Sequence, residues 1–465
     1  MAGPSGAPQN AAVTTSTEGA TAGAKPAVVA YRCPQCGWSG EFDSRFPTWC
    51  ESCGYRADPT APEPTSRWKA RTEAKRRARA EALYERLRGA ENLRPTSAAG
   101  VAVTVISAVV HLVTLSLPVL AVLLVVESHE ALWAWVVAVL AVLIMIAVRP
   151  RVRAMLRKPK AKDGWIGAQD APRFFALLER CAAALKAPVP DRVRFDARFN
   201  AATTRFGLKQ RAYVIIGIPF WQILTGPQRI TLLGHELGHQ VNGDTTHGLW
   251  AGTARESLFE WMKVLDPRET GFERQSRRRT AYRRSRRSMG GGAAGLAEVF
   301  APILMILLLG PFFLVVYGCH RLLTRLDLSS GHQAEYLADE LGARLGSTQA
   351  AVGMRDRAAL AESVRHFLAN ANRMADGRPL WPALRDYLDS IPDHEKRRRV
   401  KAEELRGTRV DATHPANYLR RRLLLDRPEH KALIEVSDEE WAAIDAELKR
   451  WYDGIAAAII RDARG

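Results

Sequence analysis

The chain has 465 residues, a formal net charge of +18 and an isoelectric point near 10.0, which is too long for one ordinary soluble domain and leaves room for several units. The charge invites a nucleic-acid reading. Much of it, however, lies in runs beside very apolar segments, as in membrane proteins that mark their cytoplasmic flanks, and this argues against nucleic acid as the partner. Of the six cysteines, four sit at metal spacing and two, Cys181 and Cys319, stand alone, a usage that fits a reducing compartment better than a disulfide framework.

Residues 1–30 are Ala, Gly, Pro, Ser and Thr with few large apolar side chains and are expected to be a disordered tail, with no signal peptide opening the chain. Residues 31–57 contain Cys33-x2-Cys36 and Cys50-x2-Cys53, separated by thirteen residues. Each pair can form a tight turn with two thiolates aimed at one metal, and two such turns make the closed four-sulfur site preferred by structural Zn²⁺. The stretch resembles a small zinc ribbon. With every position filled by sulfur the metal has no open site for chemistry, so the module is either a folding staple or a docking module for protein or nucleic acid, protein contact being favoured. Residues 58–97 are expected to hold a linker, Pro59–Ser66, and a basic helix without a broad apolar face. That helix leads to the membrane as a solvated or lipid-associated juxtamembrane segment.

Residues 98–148 hold two apolar runs, Ala98–Val126 and Ala131–Val148, joined by the acidic break Glu127–Glu130. Each is long enough to cross a hydrocarbon core of about 30 Å, the second only just, and together they predict a transmembrane hairpin. Basic runs flank both outer ends, so the positive-inside rule puts the N-terminus and everything after residue 149 in the cytoplasm. His111 and Pro118 within the first run are given no role.

From residue 163 the chain reads as globular. A helix over Ala171–Ala187 is followed by extended pieces at Arg192–Phe195, Ala201–Phe206 and Arg211–Ile218, the last a buried strand by its β-branched content. A helix begins near Pro227 and carries LLGHELGHQVNGD, Leu232–Asp244. His235 and His239, four residues apart, share one helix face and can bind one metal, with Glu236 directed at the metal's water. An ordinary polar helix is the competing reading. Gly234 and Gly238 thin the helix where something must approach closely, and Gly238 costs helix stability for no evident packing reason. His247, eight residues after His239, does not fit a metzincin-type third ligand. Glu335 and Asp339, again four apart in HQAEYLADELGARLG, are better placed: Glu335 can ligate and Asp339 can accept the free N–H of a ligating histidine. Taken alone, that pair is also what a charged helix face looks like.

These stretches carry a resemblance. LLGHELGHQVNGD followed by AEYLADELGARL is similar to the HtpX and CAAX-prenyl-protease family of zinc metallopeptidases, gluzincins that are often integral to membranes. FNAATTRFG and YVIIGIPFWQIL resemble the family's edge-strand region, and Thr413-His414-Pro415 with Arg420 resembles its His-Pro motif. The resemblance spans roughly residues 170–425. It implies an α+β, mostly helical fold: a zincin-like metallopeptidase domain with a small sheet, beside a helical membrane hairpin and a four-cysteine zinc ribbon. It further implies a catalytic zinc on His235, His239 and Glu335, Glu236 as general base, His414 assisting the oxyanion, and Asn200, Ala201 and Arg420 in substrate binding. The expected cofactors are one catalytic and one structural Zn²⁺, and the expected partners are a protein or peptide substrate and the lipid bilayer. The expected function is that of a multi-pass, cytoplasm-facing endopeptidase in membrane-protein quality control. The alternative is a non-enzymatic membrane adaptor built from the ribbon and a degenerate protease domain.

The domain is expected over residues 163–425, followed by a C-terminal helical tail, 426–465. Between the ligand helices lie an amphipathic helix from residue 250, an arginine-rich run read as an RNA patch or a solvated or lipid-facing loop, and a third apolar segment, 293–323. Family members place two spans here, for which 293–323 is too short. A single crossing would put Glu335 across the bilayer from His235, so the segment either turns back near Gly310-Pro311, packs on the catalytic domain or lies in the interface; a bent, partly immersed helical pair is the favoured expectation.

Overall fold

The computed structural model describes residues 28–58, 66–94, 97–127, 131–148, 164–206, 211–241, 244–266, 293–406 and 414–463. Most of the expected disordered tail, the linker, the acidic hairpin turn, the basic run after residue 148, the arginine-rich run and Thr413 lie outside them. Residues 28–30 do not belong to the tail: they open strand β1, Val28–Arg32, which pairs antiparallel with β2, Ser39–Asp43. The Cys33 and Cys50 loops close over a small core of Phe42, Trp49 and Ala57.

The peptidase-like domain is built on a four-stranded sheet of order β3-β4-β6-β5, comprising β3 (Trp165–Ile166), β4 (Arg192–Asp196), β5 (Ala201–Phe206) and β6 (Arg211–Gly217). β4 and β6 are parallel, and β5 is antiparallel to β6 and ends the sheet. The sequence AYVIIG makes β6 an inner strand beside β4: Val214 and Ile216 are fully buried, as its β-branched run predicts. β5 is half-buried along its whole length, as befits an edge beside a cleft.

Two helices pack beneath the sheet, Pro172–Leu185 and Gly226–Val241; their Phe174, Leu178 and Ile230 share one core with Val214 and Ile216 of β6 and with Trp221 of the short helix Ile218–Ile223. The same core includes Trp441, Ile444, Leu448 and Tyr452 of the helix Asp438–Asp462. The expected boundary at 425/426 therefore divides a single hydrophobic unit. Arg229, on the motif helix, lies between the rings of Trp221 and Trp441 at 5.0 and 5.3 Å and pairs with Asp445 at 3.0 Å. The basic helix Arg67–Arg88 also has a partner: Ala80, Tyr84 and Leu87, a narrow stripe at helical spacing, pack on Tyr336 and Leu419.

The expected bend at Gly310-Pro311 does not occur. Ala293–Gly346 is one continuous helix of 54 residues, about 80 Å at 1.5 Å per residue. The outward leg is instead the helix Asp244–Leu265, and both legs run antiparallel. A Cβ on Gly234 would come within 2.9 Å of Gly342 Cα, one on Gly238 within 3.0 Å of Ala338 Cα, and further along Phe259 meets His320 at 6.4 Å. Gly238 thus has a packing reason after all: what approaches closely is the backbone of the partner helix. Gly100–Glu127 and Leu307–Gly346 are long and apolar enough to cross a membrane, and Leu132–Ile146 is a shorter apolar helix. Val103 and Val110 of the first pack with Leu258, Val316 and Leu323 of the two legs.

The seam makes a testable prediction. Exposed helical Gly→Ala changes stabilise by about 1 kcal/mol, but a Cβ at Gly342 would stand 2.7 Å from Thr231 O and 3.3 Å from His235 N. Gly342→Ala is expected to lower stability by about 1–3 kcal/mol through overpacking. Gly331→Ala, on the same helix in open space, should not. Thermal unfolding in detergent measures both, and a raised midpoint for Gly342→Ala would rule out the tight seam.

Candidate metal centre and catalytic cleft

The antiparallel seam sets the two i, i+4 pairs against each other. His235 and His239 Nε2 lie 3.3 Å apart, and the Glu335 carboxylate oxygens stand 3.6 Å from His235 Nε2 and 3.5 Å from His239 Nε2. A tetrahedral ion with bonds of ~2.0–2.1 Å to nitrogen and oxygen has donor–donor edges of about 3.3 Å, so three donors at this spacing fit zinc and leave its fourth position open. Glu335 Oε2 is buried and accepts no well-aligned hydrogen bond, although Arg420 Nη1 is 2.9 Å away. It is an acceptor held ready for a cation.

The surrounding charges set the protonation states. Burial pushes the His235 imidazole down to about 4, leaving it neutral and able to ligate. Its Nδ1 is 3.1 Å from Asp339 Oδ1, which fixes the tautomer with Nε2 toward the metal. Burial alone would raise the Glu335 and Asp339 carboxyls. The positive groups together outweigh it, Arg420 with His414 at Glu335 and Arg420 with Arg355 at Asp339, and both are held below the usual carboxylate range. Burial raises Glu236, toward the range useful to a general base.

Arg420 lines the cleft; the residue is 5% exposed, and its guanidinium is bidentate to Asp339 at 2.6 and 2.7 Å. His414 Nδ1 lies 2.7 Å from Glu335 Oε1, with the side chain 43% exposed at the cleft. Asn200 and Ala201 line the same cleft of about 600 Å³, with Glu236, His239 and His414. The side chain of His247 lies outside the described residues.

Two neighbours were missed in the sequence. Thr203 Oγ1 stands 2.9 Å from both the backbone oxygen and Oε2 of Glu236, joining the edge strand to the carboxylate; its place on β5 two residues past Ala201 was the available signal. Arg355 is buried 3.6 Å from Asp339, and burial pushes its guanidinium down to about 10. A lone arginine on a charged helix gave no signal for this.

At the N-terminus, Cys33 and Cys53 Sγ are 3.7 Å apart and Cys36 and Cys50 Sγ 3.4 Å apart, with all four sulfurs within 4.8 Å of one another. Edges of about 3.8 Å belong to a tetrahedral site with Zn–S bonds of ~2.3 Å. Gly37 and Gly54, at φ 75° and 74°, turn the two knuckles through a conformation that other residues rarely adopt.

A His₂Glu donor set with an adjacent buried carboxylate, in a cleft bordered by an edge strand, has the composition of a metallopeptidase site. The chain belongs to peptidase family M48, whose profile matches residues 168–426. No curated protein and no solved structure matches it.

Asp339→Asn keeps the shape but removes the charge that orients His235. Zinc affinity at the His₂Glu site is expected to fall about 10–100-fold, as read by chelator competition. Unchanged affinity would show that the contact plays no part in holding the metal.

Proposed function

We propose that this protein is a membrane-bound zinc endopeptidase that cleaves protein substrates at the cytoplasmic face of the membrane. The observation that carries the reading is the triangle of His235, His239 and Glu335 donor atoms beside Glu236 in one cleft. A zinc ion there would activate water and polarise the scissile carbonyl. Glu236 takes the proton from the attacking water and delivers it to the leaving amine, its carboxylate oriented by Thr203. His414, half-exposed beside Glu335, donates to the charge developing on the carbonyl oxygen. An extended peptide adds to the outer edge of β5, starting at Asn200 and Ala201, with backbone hydrogen bonds supplying affinity.

Membrane attachment is supported by the apolar helices Gly100–Glu127 and Leu307–Gly346, and cytoplasmic placement by the basic runs that flank the hairpin. The helix that carries Glu335 is continuous with an apolar stretch, so the cleft lies close to any bilayer that stretch enters. This favours substrates among membrane proteins, as in their quality control.

Glu236→Gln in the purified protein is expected to lower peptide cleavage about 10²–10⁴-fold while zinc content stays at the wild-type value. Full activity in that variant would sink the mechanism.

A further inference from the structure

The ribbon does not hang free. Phe42, at 2% exposure, packs edge-on against His394 with ring centroids 5.0 Å apart. Arg398 donates to Ala57 O at 2.8 Å, and Arg397 pairs with Glu51 at 2.8 Å. All three partners lie on the helix Asp393–Arg406, and Phe46 reaches the main core of the peptidase domain. Arg398 is itself held by Glu395, which is fully buried, at 2.6 and 2.7 Å. Glu51 lies within the second cysteine knuckle and Ala57 just beyond it. The turn is closed by Gly54 N donating to Cys50 O and Cys50 N to Tyr55 O, both at 2.9 Å. The exposed Glu51–Arg397 pair contributes little, so the weight rests on Phe42 and Arg398.

The same helix ends at the cleft. Glu403 lines the cleft with Pro415 and Asn417, and Asn417 Nδ2 donates to Glu403 Oε2 at 3.1 Å and to Arg355 O at 3.0 Å. One side of this helix therefore meets the metal knuckle and another forms part of the cleft wall. A module of this size, with three residues in its buried core, depends on its metal to fold.

We infer that the ribbon is an intramolecular brace whose bound metal fixes the helix Asp393–Arg406 as a wall of the substrate cleft, so that structural zinc sets substrate binding. What the cleft binds rests on the peptidase reading above; the brace itself does not. In the full-length protein, Cys50→Ser/Cys53→Ser should lower bound zinc from two per chain to one, since the described residues hold two donor clusters. Amide exchange over residues 393–406 should accelerate about ten-fold or more. KM for a short peptide should rise about ten-fold, with kcat altered about two-fold at most, because displaced wall residues loosen substrate placement. General misfolding would instead lower kcat, as active fraction, at constant KM. Arg398→Ala, which retains both zincs, should move exchange and KM in the same direction. Unaltered exchange over 393–406 in both variants, or loss confined to kcat, would overturn the brace. Absence of peptide cleavage by the wild-type protein would count against the peptidase reading alone and leave exchange to decide the brace.

Discussion

The close approach of two helices governs this fold. Ordinary helix pairs sit 8–10 Å apart, with side chains between them. Here Gly234 and Gly238 face Gly342 and Ala338, and the backbones themselves meet. Because each helix carries its polar pair at i, i+4, one interface presents two imidazoles to one carboxylate. A methyl group added in the seam would move Glu335 relative to both histidines at once. The glycines lower helix propensity, and the cost is offset by a donor triangle that wider spacing could not form.

That triangle is viable only because the charges around it are paired. Asp339, 2% exposed, receives His235, Arg420 and Arg355, while Arg420 also reaches Glu335. A buried carboxylate without such partners would take up a proton and lose its grip on a histidine or a metal. Removing one member leaves an uncompensated charge in a low-dielectric site. The network therefore holds the ligands in ionisation states that suit a cation, and does so through groups on three helices besides the one bearing the histidines.

Legibility in the sequence followed the range of each interaction. Strands β4 to β6, the motif helix and the His-His and Glu-Asp pairs lie in local periodicity, and were readable. Arg420 was visible as a motif position, but its partner Asp339 is 81 residues away, and nothing local says that its charge is consumed within the protein. Gly238 looked like a helix defect because its reason lies on another helix. Residues 438–452 did carry a signal: Trp441, Ile444, Leu448 and Tyr452 recur at helical spacing and mark a face that must be covered. Reading them as a tail overlooked that requirement. The ribbon's docking left no pattern, since it runs through a backbone oxygen and a ring edge.

The seam also removes the topological difficulty posed by one short apolar segment. The outward leg, Asp244–Leu265, carries Arg255, Glu256, Glu260 and Lys263, charges that are costly against lipid. No simple hydropathy criterion would choose it as a membrane helix. Its Leu258 is buried against Val103 and Val110 on one neighbour and Val316 and Leu323 on the other, Lys263 pairs with Glu260 at 2.9 Å, and Ser257 is fully buried. Placed in a bilayer, such a helix is tolerated only with apolar neighbours between part of its surface and the lipid, and the helices Gly100–Glu127 and Leu307–Gly346 stand in those positions. In a bilayer, a polar leg out and an apolar leg back would return the chain to the side from which it started. His235 and Glu335 can then share one metal although only a single strongly apolar segment separates them in sequence.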